Sequence, residues 1–99
     1  MTTPLDLSAR RDAGGVTVLT VAGEIDMSNA ARFRAALSQA GDDDAAFIVD
    51  LTGVQYLDSA GLTALLPYAS RVKIIATAVL APVLSVTGLD PDTTVVPVP

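Results

Sequence analysis

A chain of 99 residues, 51% of them apolar, is long enough for one domain, and folding would bury roughly 60–65% of the surface its unfolded form exposes. Its formal charge of −5 and sequence pI near 4.2, with six scattered basic residues, exclude a protein that grips a nucleic-acid backbone, which needs clustered positive charge. There is no cysteine and no histidine, so disulfides, thiolate chemistry and the commonest general base and metal ligand are all missing.

No metal or cofactor is therefore expected, and the acidic balance suits a basic partner face. The sequence starts with Pro4, Asp6 and two late arginines and no apolar h-region, which does not read as a secretory signal. The longest apolar stretch, 74–86, is interrupted by Thr77, Pro82 and Ser85. It falls short of the about 20 residues a membrane span needs. The expectation is a single cytoplasmic domain over 1–99.

Leu5, Leu7 and Ala9 alternate with Asp6, Ser8 and Arg10, the period of a half-buried strand over 5–10. Gly14 and Gly15 then supply a tight turn into a β-branched run over 16–22, so the chain begins with a hairpin. Gly23-Glu24-Ile25-Asp26-Met27 breaks that strand. Ser28 and Asn29 are good N-cap types ahead of a first helix over about 29–40. There Ala30, Phe33, Ala36, Leu37 and Ala40 form one stripe, Arg32, Arg34, Ser38 and Gln39 face away, and Gly41 closes the helix. Asp42, Asp43 and Asp44 read as a solvated loop tip.

The almost continuously apolar segment 46–51 suits a central parallel strand covered on both faces, with 52–58 as the loop that follows. Strand two, helix one and strand three make a right-handed βαβ unit. Helix two starts near Ala60 and is cut short by Pro67. Strand four covers 72–76. A third, unusually apolar helix covers 79–87, with Pro82 in its first turn and Gly88 at its end. Its Val79, Leu80, Ala81 and Val83 offer a surface for self-association. Residues 93–98 form an edge strand marked by Pro97. The pattern predicts an α/β fold, a mixed and mostly parallel sheet of four to five strands with about three helices mainly on one face.

The stretch 54–62 joins the third strand to a helix whose Leu62, Leu65, Leu66 and Ala69 share a buried face. Ser59 falls at the start of that helix. Its hydroxyl oxygen there can accept from first-turn N–H groups as an N-cap, and the same groups favour a phosphate. Asp26, Ser28 and Asn29 read as capping and turn residues, Asp50 as a structural acid at a strand end, and Tyr56 as a packing residue with a wet hydroxyl. Phe33, Leu37, Leu62, Leu65 and Leu66 are assigned to the core. No P-loop, dinucleotide fingerprint or nucleophile–base pair is present, so the chain is not expected to be an enzyme and no catalytic residue is named.

Four motifs taken together resemble a known family: Gly23-Glu24-Ile25-Asp26, Val49-Asp50-Leu51-Thr52-Gly53-Val54, Leu57-Asp58-Ser59-Ala60-Gly61-Leu62 and Thr87-Gly88-Leu89-Asp90. They are similar to the STAS domain of bacterial anti-sigma-factor antagonists. The resemblance implies a STAS-like sheet, from which this sequence is expected to depart in a second helix shortened around Pro67 and in lacking the family's last helix after the fifth strand. It implies a partner anti-sigma factor that is also a serine kinase, bound by the unphosphorylated antagonist so that a sigma factor is released. Phosphorylation at Ser59 would break the complex, and a serine phosphatase would restore it. The docking surface implied comprises Asp26, Ser28 and Asn29 with Asp58, Ala60, Gly61 and Leu62. The alternative within the same fold is an unphosphorylated accessory subunit of a lipid or anion transporter.

Overall fold

The computed structural model describes residues 3–42, 45–86 and 94–98. Its elements run β1 (Asp6–Arg11), β2 (Thr17–Ile25), α1 (Ala30–Ala40), β3 (Phe47–Leu57), α2 (Ser59–Leu65), a 3-10 turn (Leu66–Tyr68), β4 (Val72–Thr77), α3 (Ala81–Val86) and β5 (Thr94–Val98). The five strands form one sheet in the order β1-β2-β3-β4-β5. β1 pairs antiparallel with β2 as the expected hairpin, and the remaining pairs are parallel. The mixed, mostly parallel sheet is the one the sequence predicts.

Alternation along the strands sorts the two faces. Leu19, Val21 and Ile25 of β2, Phe47, Val49 and Leu51 of β3 and Val72, Ile74 and Ala76 of β4 are all buried, and they pack with Phe33 and Leu37 of α1, Leu65 of α2 and Leu84 of α3 into one core. Fully burying a side chain of this size is worth about 1.5–3 kcal/mol, so this single layer carries most of the stability. The other face is less covered. Ile48, Asp50 and Ile75 are only half-buried and Lys73 is exposed, so β3 is not the doubly covered strand its apolar run suggests. The run reads as continuous because Ile48 sits on the open face, where neighbouring strands shield it in part.

Several boundaries move. β3 extends through the segment expected to be a loop, because Gly53, Val54, Tyr56 and Leu57 pair with Ala22, Gly23, Glu24 and Ile25 of a longer β2. Two register irregularities, between Thr20 and Ala22 and between Gly23 and Glu24, let the glycine motifs stay in the sheet. Gly23 has φ +94, and a Cβ there would lie 2.0 Å from the Pro4 carbonyl oxygen. Only glycine admits that crossing of the N-terminal segment.

Leu66 is 44% exposed and not in the core. The cause is Pro67, which turns the end of α2 into a 3-10 turn and rotates Leu66 off the buried stripe. The third helix is shorter than expected. Val79 precedes it and is 86% exposed, whereas Ala81 is buried and Leu80 packs against the core, so the apolar surface expected for self-association is reduced. Gly88, Asp43, Asp44 and the motif over 87–90 lie outside the described residues. Asp50 accepts from the Thr52 N–H and hydroxyl at 2.9 and 2.7 Å, the structural task expected of it, although within the strand.

Among the described residues no helix is long and apolar enough to cross a membrane.

Candidate functional site

The parallel strands all point their carboxyl ends the same way, and the loops after β2 and β3 leave from that end, where sites in open α/β sheets form. The pairing of Ile25 with Leu57 carries both strands to the same level. The Asp58 N–H then donates to the Ile25 carbonyl at 3.2 Å. The turn before α1 and the start of α2 are thereby locked side by side, and the two halves of the expected site come together.

The first half is a turn built on Asp26. Its carboxylate accepts from the Ser28 N–H at 2.8 Å and from the Ser28 hydroxyl. Its carbonyl accepts from the Ala30 N–H at 2.9 Å, and its own N–H donates to Asn29 Oδ1 at 3.0 Å. Asn29 Nδ2 donates in turn to the Glu24 carbonyl at 2.9 Å. Asn29 thus stands at the N-cap position of α1 without capping the helix by its side chain. It staples the turn to β2 instead. The Ser28 hydroxyl, aided by the Ser28 backbone N–H, holds the Asp26 carboxyl below its ordinary pKa, because both bonds favour the charged form. A fixed negative charge results, beside Met27, which is 84% exposed.

The second half is the start of α2. Asp58, and not Ser59, is the N-cap. Its backbone is extended, and its carboxylate accepts from the N–H groups of Ala60 and Gly61 at 2.9 and 3.3 Å. The carboxylate reaches those donors from one residue further back and occupies them ahead of a serine hydroxyl. Ser59 is therefore the first helical residue. It is exposed, and among the described residues its hydroxyl makes no hydrogen bond. Its carbonyl accepts from the Thr63 hydroxyl at 2.7 Å, which ties down the first turn. The side chain is left free on an anchored backbone.

The remaining expected residues divide by depth. Ala60 and Leu62 are half-buried, and Leu62 packs against the core. Gly61 is buried, and a Cβ there would lie 2.2 Å from Leu57 Cδ1 and 2.9 Å from Ile25 Cγ2. Its small size is what lets α2 sit down on the ends of β2 and β3.

The STAS domain family model matches residues 9–88, more than half of the chain. The chain belongs to the STAS domain family. The anti-sigma-F factor antagonist RsfB of Mycobacterium tuberculosis is 40% identical over 52 residues, which cover 52% of this chain and 43% of that relative. The match thus spans less than half the relative's length. An anti-sigma factor antagonist from Mycobacterium paratuberculosis superposes with a TM-score of 0.84 at 27% identity, over 99% of this chain and 92% of that one. The antagonist SpoIIAA in its unphosphorylated form shares the fold, with a TM-score of 0.64 at 17% identity over 95% and 90% of the two chains.

Within this STAS domain, two residues near the candidate site carry no signal in the sequence pattern. Met27 is a lone apolar residue in a polar turn, and only its exposure marks it out. Thr3 is the other. Its N–H donates to Glu24 Oε2 at 2.9 Å, its carbonyl accepts from the Glu24 N–H at 3.2 Å, and its hydroxyl donates to Gln55 Oε1 at 3.0 Å. The N-terminal segment is laced across β2 and β3 close to the site, and the glycine at position 23 is what lets it through.

Proposed function

We propose that this STAS domain is an anti-sigma-factor antagonist, a binding module and not a catalyst, whose partner is an anti-sigma factor with serine kinase activity. Asp26, Ser28 and Asn29 dock the partner together with Asp58, Ala60 and Leu62, while the buried Gly61 seats α2 beneath that surface. Phosphorylation of Ser59 ends the complex and a serine phosphatase restores it. The observation that carries this reading is the state of Ser59: exposed, without a hydrogen bond to its hydroxyl among the described residues, and placed beside a rigid acidic turn. The antagonist names of its relatives and structural neighbours support the choice of partner.

The physics of the switch is local. A phosphate on Ser59 adds about −1.5 to −2 charges. The nearest helix N–H donors are already held by Asp58, so the added charge meets a carboxylate before it meets the helix dipole. Each unit of like charge at about 4 Å costs about 1 kcal/mol in water and about 4 kcal/mol at an effective dielectric of 20, the condition of a closing interface. With 1.4 kcal/mol worth about tenfold, affinity falls by about a hundredfold to a thousandfold without any refolding. The test is binding of Ser59→Ala and Ser59→Asp to the anti-sigma factor. The alanine variant binds as the unmodified protein does and the aspartate variant does not; equal binding by both removes the switch.

A further inference from the structure

The two edges of the sheet are finished differently. β5 places Pro97, which has no N–H to offer, on one outer edge. β1 has neither proline nor bulge, pairs on one side only among the described residues, and is exposed along nearly its whole length. An uncovered strand of this kind is a template for another strand, and the chain carries a matching one: itself.

We propose that β1 pairs antiparallel with β1 of a second copy of this chain, joining two sheets across a two-fold axis at Ser8. The register follows from geometry and charge. Alternate residues of a strand point their backbone groups outward, so outward residues must meet outward residues, and odd positions face odd ones. Placing the axis at Leu7 sets Asp6 against Ser8, and placing it at Ala9 sets Ser8 against Arg10, with no charge matched in either case. With the axis at Ser8, Asp6 of each copy faces Arg10 of the other. These residues share the open face of the sheet, since they register against Ala22 and Val18. Within one copy they stand four residues apart, on the order of 13 Å along the strand, too far to reach each other. Among the described residues neither has an ion-pair partner, while Arg11 is engaged with the Gly15 carbonyl at 3.0 Å.

The helix-side face agrees. In the same register Leu7 of each copy meets Ala9 of the other. Both residues line an apolar groove of about 410 Å³ between β1 and α1, together with Leu19, Ala35 and Ala36. The axis brings the two grooves edge to edge and takes Leu7 and Ala9 out of water. Ser59, which follows the third strand of the sheet, stays open in each copy.

Sedimentation equilibrium of the full chain tests the pairing. The unmodified protein sediments as a dimer of its 10.1 kDa chain. Asp6→Arg and Arg10→Asp alone each set like charges against one another at two places, and each raises the dimer Kd by about tenfold to a hundredfold. Mixing the two variants restores opposite charges at both places and restores the dimer. A monomeric wild type, singles that remain dimeric, or a mixture that stays monomeric each overturns the proposal. Because the sequence holds no cysteine, Ser8→Cys gives an independent reading. Directly opposed strand residues lie within disulfide reach, so Ser8→Cys forms a covalent dimer on mild oxidation and Ser70→Cys, an exposed position elsewhere, does not. Equal cross-linking by both variants contradicts the axis.

Discussion

Replacing Asp58 and Ser59 one at a time by alanine separates the residue that builds the site from the residue the site displays. The Asp58 carboxylate takes two N–H groups of a helix only seven residues long, at 2.9 and 3.3 Å. Removing an N-cap of this kind costs about 1 kcal/mol, with a range of about 0.5–2. For a domain of this size that is a fall in melting temperature of about 4–8 °C per kcal/mol. Asp58→Asn keeps an accepting oxygen and recovers most of the loss. Ser59→Ala removes an exposed hydroxyl with no partner among the described residues, and stays within about 0.5 kcal/mol of the parent. Thermal and urea unfolding followed by circular dichroism measures all three. Equal losses for Asp58→Ala and Ser59→Ala, or no loss for Asp58→Ala, would refute the assignment of the cap and with it the free state of the Ser59 hydroxyl.

Other substitutions probe the ground beneath the site. Gly23→Ala sets a Cβ 2.0 Å from a backbone carbonyl oxygen at φ +94. Left-handed strain of about 1–2 kcal/mol adds to an overpacking cost of about 1–3 kcal/mol, and the Glu24 amide, which donates to Thr3, loses hydrogen-exchange protection. Gly61→Val drives a branched side chain into Leu57 and Ile25 and lowers the urea midpoint by an amount equivalent to about 1–3 kcal/mol, and Gly61→Ala, whose Cβ already meets Leu57 Cδ1 at 2.2 Å, lowers it less because about 1 kcal/mol of helix propensity offsets the clash. The Asp26 carboxyl, lowered first by the Ser28 hydroxyl, titrates by carbon-detected NMR below its ordinary value of 3.8, and Ser28→Ala moves the midpoint upward. Since the folded-state pKa is the depressed one, the stabilisation tied to Asp26 is present above its unfolded pKa. It is lost as pH falls through the folded one, a window below about pH 4.

The hairpin, the parallel order of the central strands and the stripe of α1 were legible because they rest on alternation and helical period, which the residues display directly. The full length of β3 was not. Gly53 and Thr52 read as loop chemistry in isolation, and they stay in the sheet because β2 continues beside them through two register irregularities. Pro67 signalled a short α2 correctly, but its effect on Leu66 depends on the phase of the turn it induces. At the site, the motif over 57–62 drew attention to the start of α2. It did not reveal which of two adjacent side chains caps the helix, because Asp and Ser are nearly equal as N-caps and only the extended backbone at Asp58 decides. Contacts distant in sequence, such as Thr3 with Glu24 and Gln55, leave no periodic trace at all.

We propose that charge added at Ser59 releases the partner while the domain stays folded. This release is tested most directly by preparing the full chain singly phosphorylated at Ser59, confirming the modified peptide by mass spectrometry, and measuring its Kd for the anti-sigma factor beside that of the unmodified chain. The expected result is a Kd raised by about a hundredfold to a thousandfold with an unchanged circular dichroism spectrum. Phosphorylation found at another residue, or a Ser59-phosphorylated chain that binds as tightly as the unmodified one, would contradict it.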